Sequence, residues 1–261
     1  MSIHVLSETV ASRIAAGEVV ERPASVVKEM VENSLDAGAT RVEVETRQGG
    51  KRLIRVRDNG EGIHSAEVRL AFQRHATSKL SSAEDLEHIA TLGFRGEALA
   101  SIASVSRVTC ITRHTDEQTG TRLRLEGGKI ISESPLGRPQ GTEMLVEDLF
   151  YNVPAMRKFL RTERTERRHI DAFLTRYAIA YPQAMFHAVH DGNVTLNTPG
   201  NGSAREVLLN VYGLELGASL LEILPAYTEG GNAPSQTIRI RGFVGPTTVH
   251  RADRGYITLF M

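Results

Sequence analysis

The chain has 261 residues, of which 31 are acidic and 31 are basic, so its overall charge gives no argument for a nucleic-acid partner. Hydrophobic residues at 41% and charged residues at 24% are ordinary for a globular protein in water. No apolar run is long enough to span a bilayer, and Cys110 is the only cysteine, which excludes an intrachain disulfide. We expect a cytoplasmic protein of one or two domains, without membrane contact or a zinc-binding motif.

The first strong pattern predicts an amphipathic helix after a short helix over 11–17. Pro23 suits a first helical position, and Gly38 suits the left-handed residue after a helix end. One side of this helix holds Val27, Met30, Val31 and Ser34, and the other holds Glu29, Glu32, Asn33 and Asp36. Glu29 and Asn33 are one turn apart and point the same way. Taken alone, the pattern is typical of a helix with a solvated polar face.

A hairpin and a glycine motif follow. Residues 41–47 alternate as a half-buried strand does, 48–51 form a turn, and 53–57 form the partner strand. This strand leads into the sequence Asp-Asn-Gly-Glu-Gly at 58–62. Two glycines separated by one residue allow the backbone to approach a ligand closely, and Asp58 lies at the end of the strand.

A second glycine motif precedes a helix of small residues. Residues 65–73 are predicted to be helical with Ser65 as the cap, and a polar connection from 75–79 leads to Gly93-x-x-Gly96. The helix predicted over 97–104 would expose amides that can bind an anion. By itself this motif is more often a simple turn than a phosphate site.

The remaining elements are mostly strands. Strands are predicted over 108–111, 121–125, 129–131, 141–147, 185–189, 194–197, 237–241 and 256–260, and helices over 155–160, 165–180 and 206–211. Residues 198–203 are the best linker candidate, and Ser203 begins a capping box with Glu206. We therefore expect one domain over 1–200 and the beginning of a second α/β domain, cut short, over 201–261. The arginine-rich stretch 157–168 suits a solvated helix face or contacts to a phosphate backbone.

Four motifs occur in a fixed order along the chain. They are Glu29 with Asn33 on a helix, Asp58 with Gly60 and Gly62 after a strand, Gly93 with Gly96 before a helix, and Gly141 with Thr142 on a later strand. The series resembles the nucleotide site shared by type II topoisomerases, heat-shock chaperones of the ninety-kilodalton class, sensor histidine kinases and MutL mismatch-repair proteins (the GHKL ATPases). It is most similar to MutL in segments 14–29, 32–39, 57–62, 74–79, 92–99, 150–155 and 157–160.

The resemblance implies a two-layer α/β sandwich with a mixed sheet and helices on one face, and a site for ATP with Mg²⁺. Asn33 would bind Mg²⁺ through an uncharged oxygen. Glu29 would be the general base that activates water, with Glu32 as a weaker candidate. Asp58 would accept from the amine of adenine, and Gly60 and Gly62 would leave room for the base and sugar.

The resemblance also implies a lid that contacts phosphate. Its ATP-binding residues would be Thr77, Ser78, Lys79, Gly93, Phe94, Arg95, Gly96 and Glu97. Arg95 would contact phosphate or brace the lid against a carboxylate, and no P-loop sequence is present. Thr142 is either a hydroxyl near the adenine or a buried strand residue.

The implied function is that of a slow mismatch-repair ATPase in which ATP orders the N-terminal region and drives homodimerisation. Implied partners are a MutS-type mismatch sensor, the DNA backbone, and a downstream endonuclease or helicase. A lysine for the γ-phosphate would come from the second domain, past Met261. The alternatives are the ATPase half of a type II topoisomerase, a sensor kinase, and a nucleotide-binding interaction module without turnover.

Overall fold

The computed structural model describes residues 16–77, 92–93, 96–223, 240–249 and 257–260. Within these ranges, eight strands form one sheet: β1 (Arg41–Arg47), β2 (Leu53–Asp58), β3 (Arg107–Arg113), β4 (Gly120–Glu126), β5 (Lys129–Leu136), β6 (Gly141–Glu147), β7 (Met185–His190) and β8 (Asn193–Asn197). Their order across the sheet is β5-β4-β3-β6-β2-β1-β7-β8. Neighbouring strands are antiparallel except β1 and β7, which are parallel. The predicted mixed sheet is confirmed.

Residues 16–19 are helical, and six further α-helices complete the fold within the described residues. They are α1 (Pro23–Asp36), α2 (Ala98–Ser104), α3 (Pro154–Phe159), α4 (Glu163–Ala180), α5 (Ala204–Tyr212) and α6 (Leu214–Ser219). A small antiparallel sheet joins β9 (Leu221–Ile223) to β10 (Gly242–Val244). No helix in the described part of the chain is long and apolar enough to cross a membrane.

The large sheet has a buried face and a charged face because side chains alternate along each strand. The buried face of β1 and β2 is formed by Val42, Val44, Ile54 and Val56, which join the helices in one hydrophobic core. On the charged face, Arg55 lies 3.3 Å from Glu45 and 3.8 Å from Glu143. The core therefore lies between the sheet and the helices, as the predicted two-layer sandwich requires.

The ends of α1 and α5 follow the predicted capping signals, and α4 begins at a cap that was not predicted. Pro23 begins α1, and Gly38 has the left-handed φ of 70° after its end. Thr162 caps α4 by accepting from the amide of Thr165. Ser203 caps α5 by accepting from the amide of Glu206, which confirms the predicted cap.

Three predicted elements differ from the described structure. Residues 65–73 form turns and a short 3₁₀ helix at Leu70–Phe72, not an α-helix. Ser65 does not cap a helix, because its amide and hydroxyl both donate to Glu117. Residues 240–241 and 257–260, the described parts of the strands expected over 237–241 and 256–260, have no regular secondary structure, and the rest of those two segments lies outside the described residues. Leu259 is 84% exposed, and alternation alone does not make a strand.

The predicted linker at 198–203 packs against the end of the sheet. The amide of Thr198 donates to the Phe186 carbonyl, and the Thr198 hydroxyl accepts from the Phe186 amide at 2.9 Å. Val207 of α5 is buried in the same core as the sheet residues. The chain after residue 200 therefore begins by adding to the first core, and a domain boundary at residue 200 stays a prediction.

Candidate nucleotide site

Asp58 is the best-anchored of the predicted site residues. The alternation of β2 places it on the buried face, at the last position of the strand. Its Oδ1 accepts from the amides of Gly60 at 2.9 Å and Thr142 at 3.1 Å. Its Oδ2 accepts from the Ser34 hydroxyl of α1 at 2.9 Å. Residues from α1, β2 and β6 thus hold one carboxylate at the sheet end.

Burial dominates the electrostatics of this carboxylate. It raises the pKa of Asp58 because a buried charge is poorly solvated, and the result is a pKa above the ordinary 3.8. The hydrogen bonds from Gly60, Ser34 and Thr142, and the more distant charge of Arg138, oppose the rise. An ionised carboxylate has about four acceptor positions. The three described donors leave Oδ2 able to accept one more hydrogen bond.

The glycines of the motif are required by the protein backbone itself. A Cβ atom at Gly62, where φ is 80°, would lie 2.1 Å from the carbonyl oxygen of Arg113. At Gly60 it would lie 2.7 Å from the carbonyl oxygen of Ala37. The predicted role of these glycines in making room for a base and sugar stays a prediction, since packing against β3 and the end of α1 already requires them.

Gly141 and Asn59 also shape the site. With φ at 113°, a Cβ atom on Gly141 would lie 2.2 Å from the backbone oxygen of Asp58, so glycine lets β6 begin beside this carboxylate. Asn59 does not face the site, because its Oδ1 accepts from the amides of Thr40 and Arg41. Asn59 thus fastens the loop before β1 to the end of β2, as a turn residue would.

The polar face of α1 carries the predicted base and metal ligand. Glu29 and Asn33 are partly buried, and Glu29 lies 3.6 Å from the ammonium group of Lys28. Glu32 is buried and accepts from Lys28 at 3.0 Å and from the hydroxyl of Tyr177 on α4. Because both Glu32 oxygens have these partners, Glu32 suits a positioning role better than that of a base.

Burial and the contact with Glu32 shift the pKa of Lys28 in opposite directions and that of Tyr177 in the same direction. Burial lowers the pKa of Lys28, but Glu32 and Glu29 outweigh it and hold the pKa above 10.5. Burial and the bond to Glu32 raise the pKa of Tyr177 strongly, so this hydroxyl stays a donor. Tyr177 was not predicted as a site residue, since a tyrosine 145 residues from Glu32 gives no local signal.

Asp36 connects α1 to the second glycine motif. Its Oδ1 accepts from the amide of Leu92 at 3.0 Å, and its Oδ2 is 3.3 Å from the amide of Gly93. Asp36 was predicted to lie on the polar face, but this contact was not predicted. The helix that carries Glu29 and Asn33 therefore also holds the start of the predicted lid.

The other end of the lid meets the segment that leads to Thr77. A Cβ atom on Gly96 would lie 2.7 Å from the carbonyl oxygen of Ala76. The Glu97 carboxylate lies 3.5 Å from the ring of His75. Thr77 is partly buried beside these residues in the chain. The predicted ligands Ser78, Lys79, Phe94 and Arg95 lie outside the described residues.

Thr142 contributes to the site through its backbone. Its amide donates to Asp58, and its hydroxyl lies 3.0 Å from the hydroxyl of Thr112 on β3. Thr112 also accepts from the amide of Ile63 at 2.9 Å. The two threonines thus join β3, β6 and the glycine loop, and a contact between the Thr142 hydroxyl and a ligand stays a prediction.

Comparisons with known proteins give the family of the chain. Residues 21–142 match the model of the histidine kinase-, DNA gyrase B- and HSP90-like ATPase family. The chain is 46% identical over 98% of its length to the DNA mismatch repair protein MutL of Halothermothrix orenii, and 48% identical over 99% to that of Exiguobacterium sibiricum. The chain belongs to the MutL family of DNA mismatch repair proteins. It spans 38% and 41% of the length of these two relatives.

Solved structures share the fold. The Aquifex aeolicus MutL ATPase domain complexed with ADP is 39% identical, with a TM-score of 0.63 over 80% of this chain and 73% of that one. The N-terminal domain of a DNA repair protein is 28% identical, with a TM-score of 0.75 over 90% of this chain and 71% of that one. The predicted GHKL ATPase fold is confirmed, and MutL is favoured over the topoisomerase and kinase alternatives.

Proposed function

We propose that this MutL-family chain binds ATP with Mg²⁺ between α1 and the lid, as part of a slow ATPase that acts in DNA mismatch repair. The observation that carries the proposal is the Asp58 carboxylate, which is buried among neutral donors and keeps one acceptor position on Oδ2. An amine of a ligand can fill that position. The family match over 21–142 covers Asp58, Glu29 and Asn33.

Adenine has the chemistry that this carboxylate requires. An ionised carboxylate only accepts, and the exocyclic amine of adenine donates. Guanine would place a carbonyl oxygen there and leave Asp58 without its fourth hydrogen bond, which makes the site selective. Gly60, Gly62 and Thr142 would line the adenine end in this arrangement.

The polar face of α1 would supply the metal ligand and the base. The amide oxygen of Asn33 suits Mg²⁺, which prefers oxygen ligands and keeps several waters. Glu29, one turn earlier, would orient and deprotonate the attacking water. The phosphates would be bound by the lid residues Thr77, Ser78, Lys79, Gly93, Phe94, Arg95, Gly96 and Glu97.

We further propose that ATP binding couples to association of two copies through the N-terminal region. Ligand and partner then reinforce each other by a coupling free energy on the order of 1–3 kcal/mol. Such a switch would relay recognition by a MutS-type sensor to a downstream endonuclease or helicase on DNA. The DNA backbone is the proposed nucleic-acid contact, and the cytoplasm with its nucleoid is the proposed location.

Solution mass tests the switch. Light scattering would be run on this chain, and on one extended through the second domain, with and without a non-hydrolysable ATP analogue and Mg²⁺. We expect the extended chain to be monomeric alone and dimeric with nucleotide. Tight binding without a change in mass would retain the nucleotide site but contradict the dimer, and absence of binding would contradict both.

Glu29→Ala tests the assignment of the base. In the extended chain we expect turnover to fall by about 10²–10⁴-fold, because general-base catalysis is lost, while ATP affinity stays within about threefold. Phosphate release and calorimetry measure the two quantities. Glu163→Ala, which removes an exposed carboxylate of α4, is the control and should change neither. Equal losses of binding and turnover would show that Glu29 is not the base.

A further inference from the structure

Two histidines and an aspartate from different segments meet on the surface. His64 follows the glycine motif after β2, whereas His114 and Asp116 follow β3. The two imidazole rings stack with their centroids 3.4 Å apart. One ligand atom from each of His64, His114 and Asp116 lies within 4.8 Å of the other two. None of these three side chains has a role in the proposed nucleotide site.

Backbone hydrogen bonds fix the two segments beside each other. The amide of Ile63 donates to the Thr112 hydroxyl at 2.9 Å, and the amide of Thr115 donates to the Glu61 carbonyl at 2.9 Å. His64 therefore lies on a loop that is tied to the segment carrying the other two groups. Ligand positions that are held in advance lose less conformational entropy when an ion binds.

Glu117 fixes the other side of His64. Its carboxylate accepts from the amide of Ser65 at 3.1 Å and from the Ser65 hydroxyl at 2.7 Å. The same carboxylate lies 3.9 Å from Nδ1 of His64. Glu117 thus adds negative charge beside the cluster while the two Ser65 donors hold its carboxylate in place.

The chemistry of the cluster matches a transition-metal ion. Imidazole nitrogens favour Zn²⁺, Cu²⁺ and Ni²⁺, whereas Mg²⁺ prefers oxygen. The lone pair of a neutral imidazole lies in the ring plane, so the two stacked rings can bind one ion together only after the partly exposed His64 ring turns out of the stack. The side chain of His114 is 13% exposed, and its Nδ1 accepts from the amide of Asp116 at 3.2 Å, a hydrogen bond that an ion at Nδ1 would replace. The side chains of His64 and Asp116 are 43% and 75% exposed, so an ion can reach them.

We propose that His64, His114 and Asp116 form a surface site for one divalent transition-metal ion of the zinc type, with water as the fourth ligand. Tetrahedral zinc would bring the ligand atoms to about 3.4 Å from one another, given bonds of about 2.0–2.1 Å. Rotation of the exposed side chains closes the remaining gap. The ion would fasten the loop after β2 to the end of β3, independently of nucleotide.

Zinc titration of the chain without a histidine tag and without nucleotide tests the site. A chromophoric chelator would compete for Zn²⁺, and Co²⁺ absorption in the visible would report the coordination geometry. We expect one ion per chain with a tetrahedral cobalt spectrum. His64→Ala and His114→Ala should each weaken zinc binding at least about tenfold. His169→Ala, which removes an exposed histidine of α4, should change it by less than about twofold.

A second variant separates ligand loss from unfolding. Asp116→Asn alters a mostly exposed side chain and should leave the unfolding midpoint in chelator unchanged. It should weaken zinc binding about tenfold, since a neutral amide replaces a carboxylate ligand. Zinc should also raise the unfolding midpoint of the unaltered chain but not that of His64→Ala. Unchanged affinity in both histidine variants, or no saturable binding of one ion, would overturn the proposal.

Discussion

Two carboxylates with similar numbers of partners have pKa values shifted in opposite directions. Asp58 accepts from the Ser34 hydroxyl and two backbone amides, and burial raises its pKa. Burial alone would also raise the pKa of Asp171 on α4. There, a hydrogen bond and charge from His190, with the charge of Arg167, outweigh burial and lower the pKa.

The difference lies in the charge of the donors. The neutral donors around Asp58 hold the carboxylate in place without balancing its charge, so a further donor from a ligand is favourable. Asp171 is 2.8 Å from Nε2 of the buried His190, whose other nitrogen contacts the Thr46 hydroxyl. This second cluster joins α4 to β7 and β1. A buried acid among neutral donors suits binding, whereas a partly exposed acid beside a histidine and an arginine suits structure.

Glycine substitutions beside the two clusters should give the largest contrast. Gly141→Ala forces a Cβ atom to 2.2 Å from the Asp58 backbone oxygen at a φ of 113°. We expect it to lower the free energy of unfolding by about 3–4 kcal/mol, because strand β6 must move. Gly192→Ala, in the turn after His190, has a φ of 83° but no atom within 4 Å. It should lower the free energy by about 1 kcal/mol.

Urea unfolding followed by circular dichroism measures both glycine variants. The comparison also predicts that Gly141→Ala weakens nucleotide binding, because the amide of Thr142 would no longer reach Asp58. Gly192→Ala should bind nucleotide normally. Similar losses of stability in the two variants would mean that the cost comes from placing alanine at a positive φ, and not from the close approach of its Cβ atom to Asp58.

Asp58→Asn should separate binding from stability. We expect ATP affinity to fall at least about a hundredfold, or about 2.7 kcal/mol, because the amide presents a donor to the adenine amine. Unfolding should change by less than about 1 kcal/mol, since a neutral amide relieves the burial of charge and Ser34 can accept from it. Calorimetry and urea unfolding measure the two effects.

The neighbouring Asn59→Ala is the matched control. It removes bonds to the amides of Thr40 and Arg41 and to the Thr40 hydroxyl. We expect a loss of about 1–3 kcal/mol in unfolding and an affinity within about threefold of the unaltered chain. Near-normal affinity in Asp58→Asn would refute its role in binding adenine.

The sequence predicted those features that depend on short-range patterns. Period-two alternation identified most strands of the sheet, including Asp58 at the end of β2. The cap at Ser203 and the left-handed Gly38 were also predicted, because local backbone geometry requires those residue types. The expected helix over 65–73 failed, since Ser65 binds a carboxylate 52 residues away.

Contacts between distant segments could not be predicted. Asp36 binds the amide of Leu92, 56 residues along the chain, and a solvated helix face would contain the same aspartate. The meeting of His64 with His114 likewise depends on the pairing of β2, β6 and β3. Gly62 was predicted to serve a ligand, whereas the nearest constraint is the Arg113 carbonyl. The residue type shows whether a side chain can donate, accept or bind an ion, but only the fold shows which distant residue it contacts.

Asp171→Asn should give the smallest effect and complete the contrast. Because 34% of the Asp171 side chain is exposed, solvent screens its ion pairs, and we expect a loss of about 1 kcal/mol at neutral pH with unchanged ATP affinity. The lowered pKa of Asp171 adds stability that is fully present above pH 3.8 and declines as the pH falls toward the folded-state pKa.

The raised pKa of Asp58 has the opposite effect on stability. As the pH falls through the folded-state pKa of Asp58 toward 3.8, the folded state takes up a proton and becomes more stable. Urea unfolding from pH 6 to pH 3 would therefore show a weaker acid-induced loss in Asp171→Asn than in the unaltered chain. Asp58→Asn should show a stronger one, because it removes the proton uptake that accompanies folding. If the free energy of unfolding depended on pH in the same way in both variants, the different partners of Asp58 and Asp171 would not explain how these two carboxylates titrate.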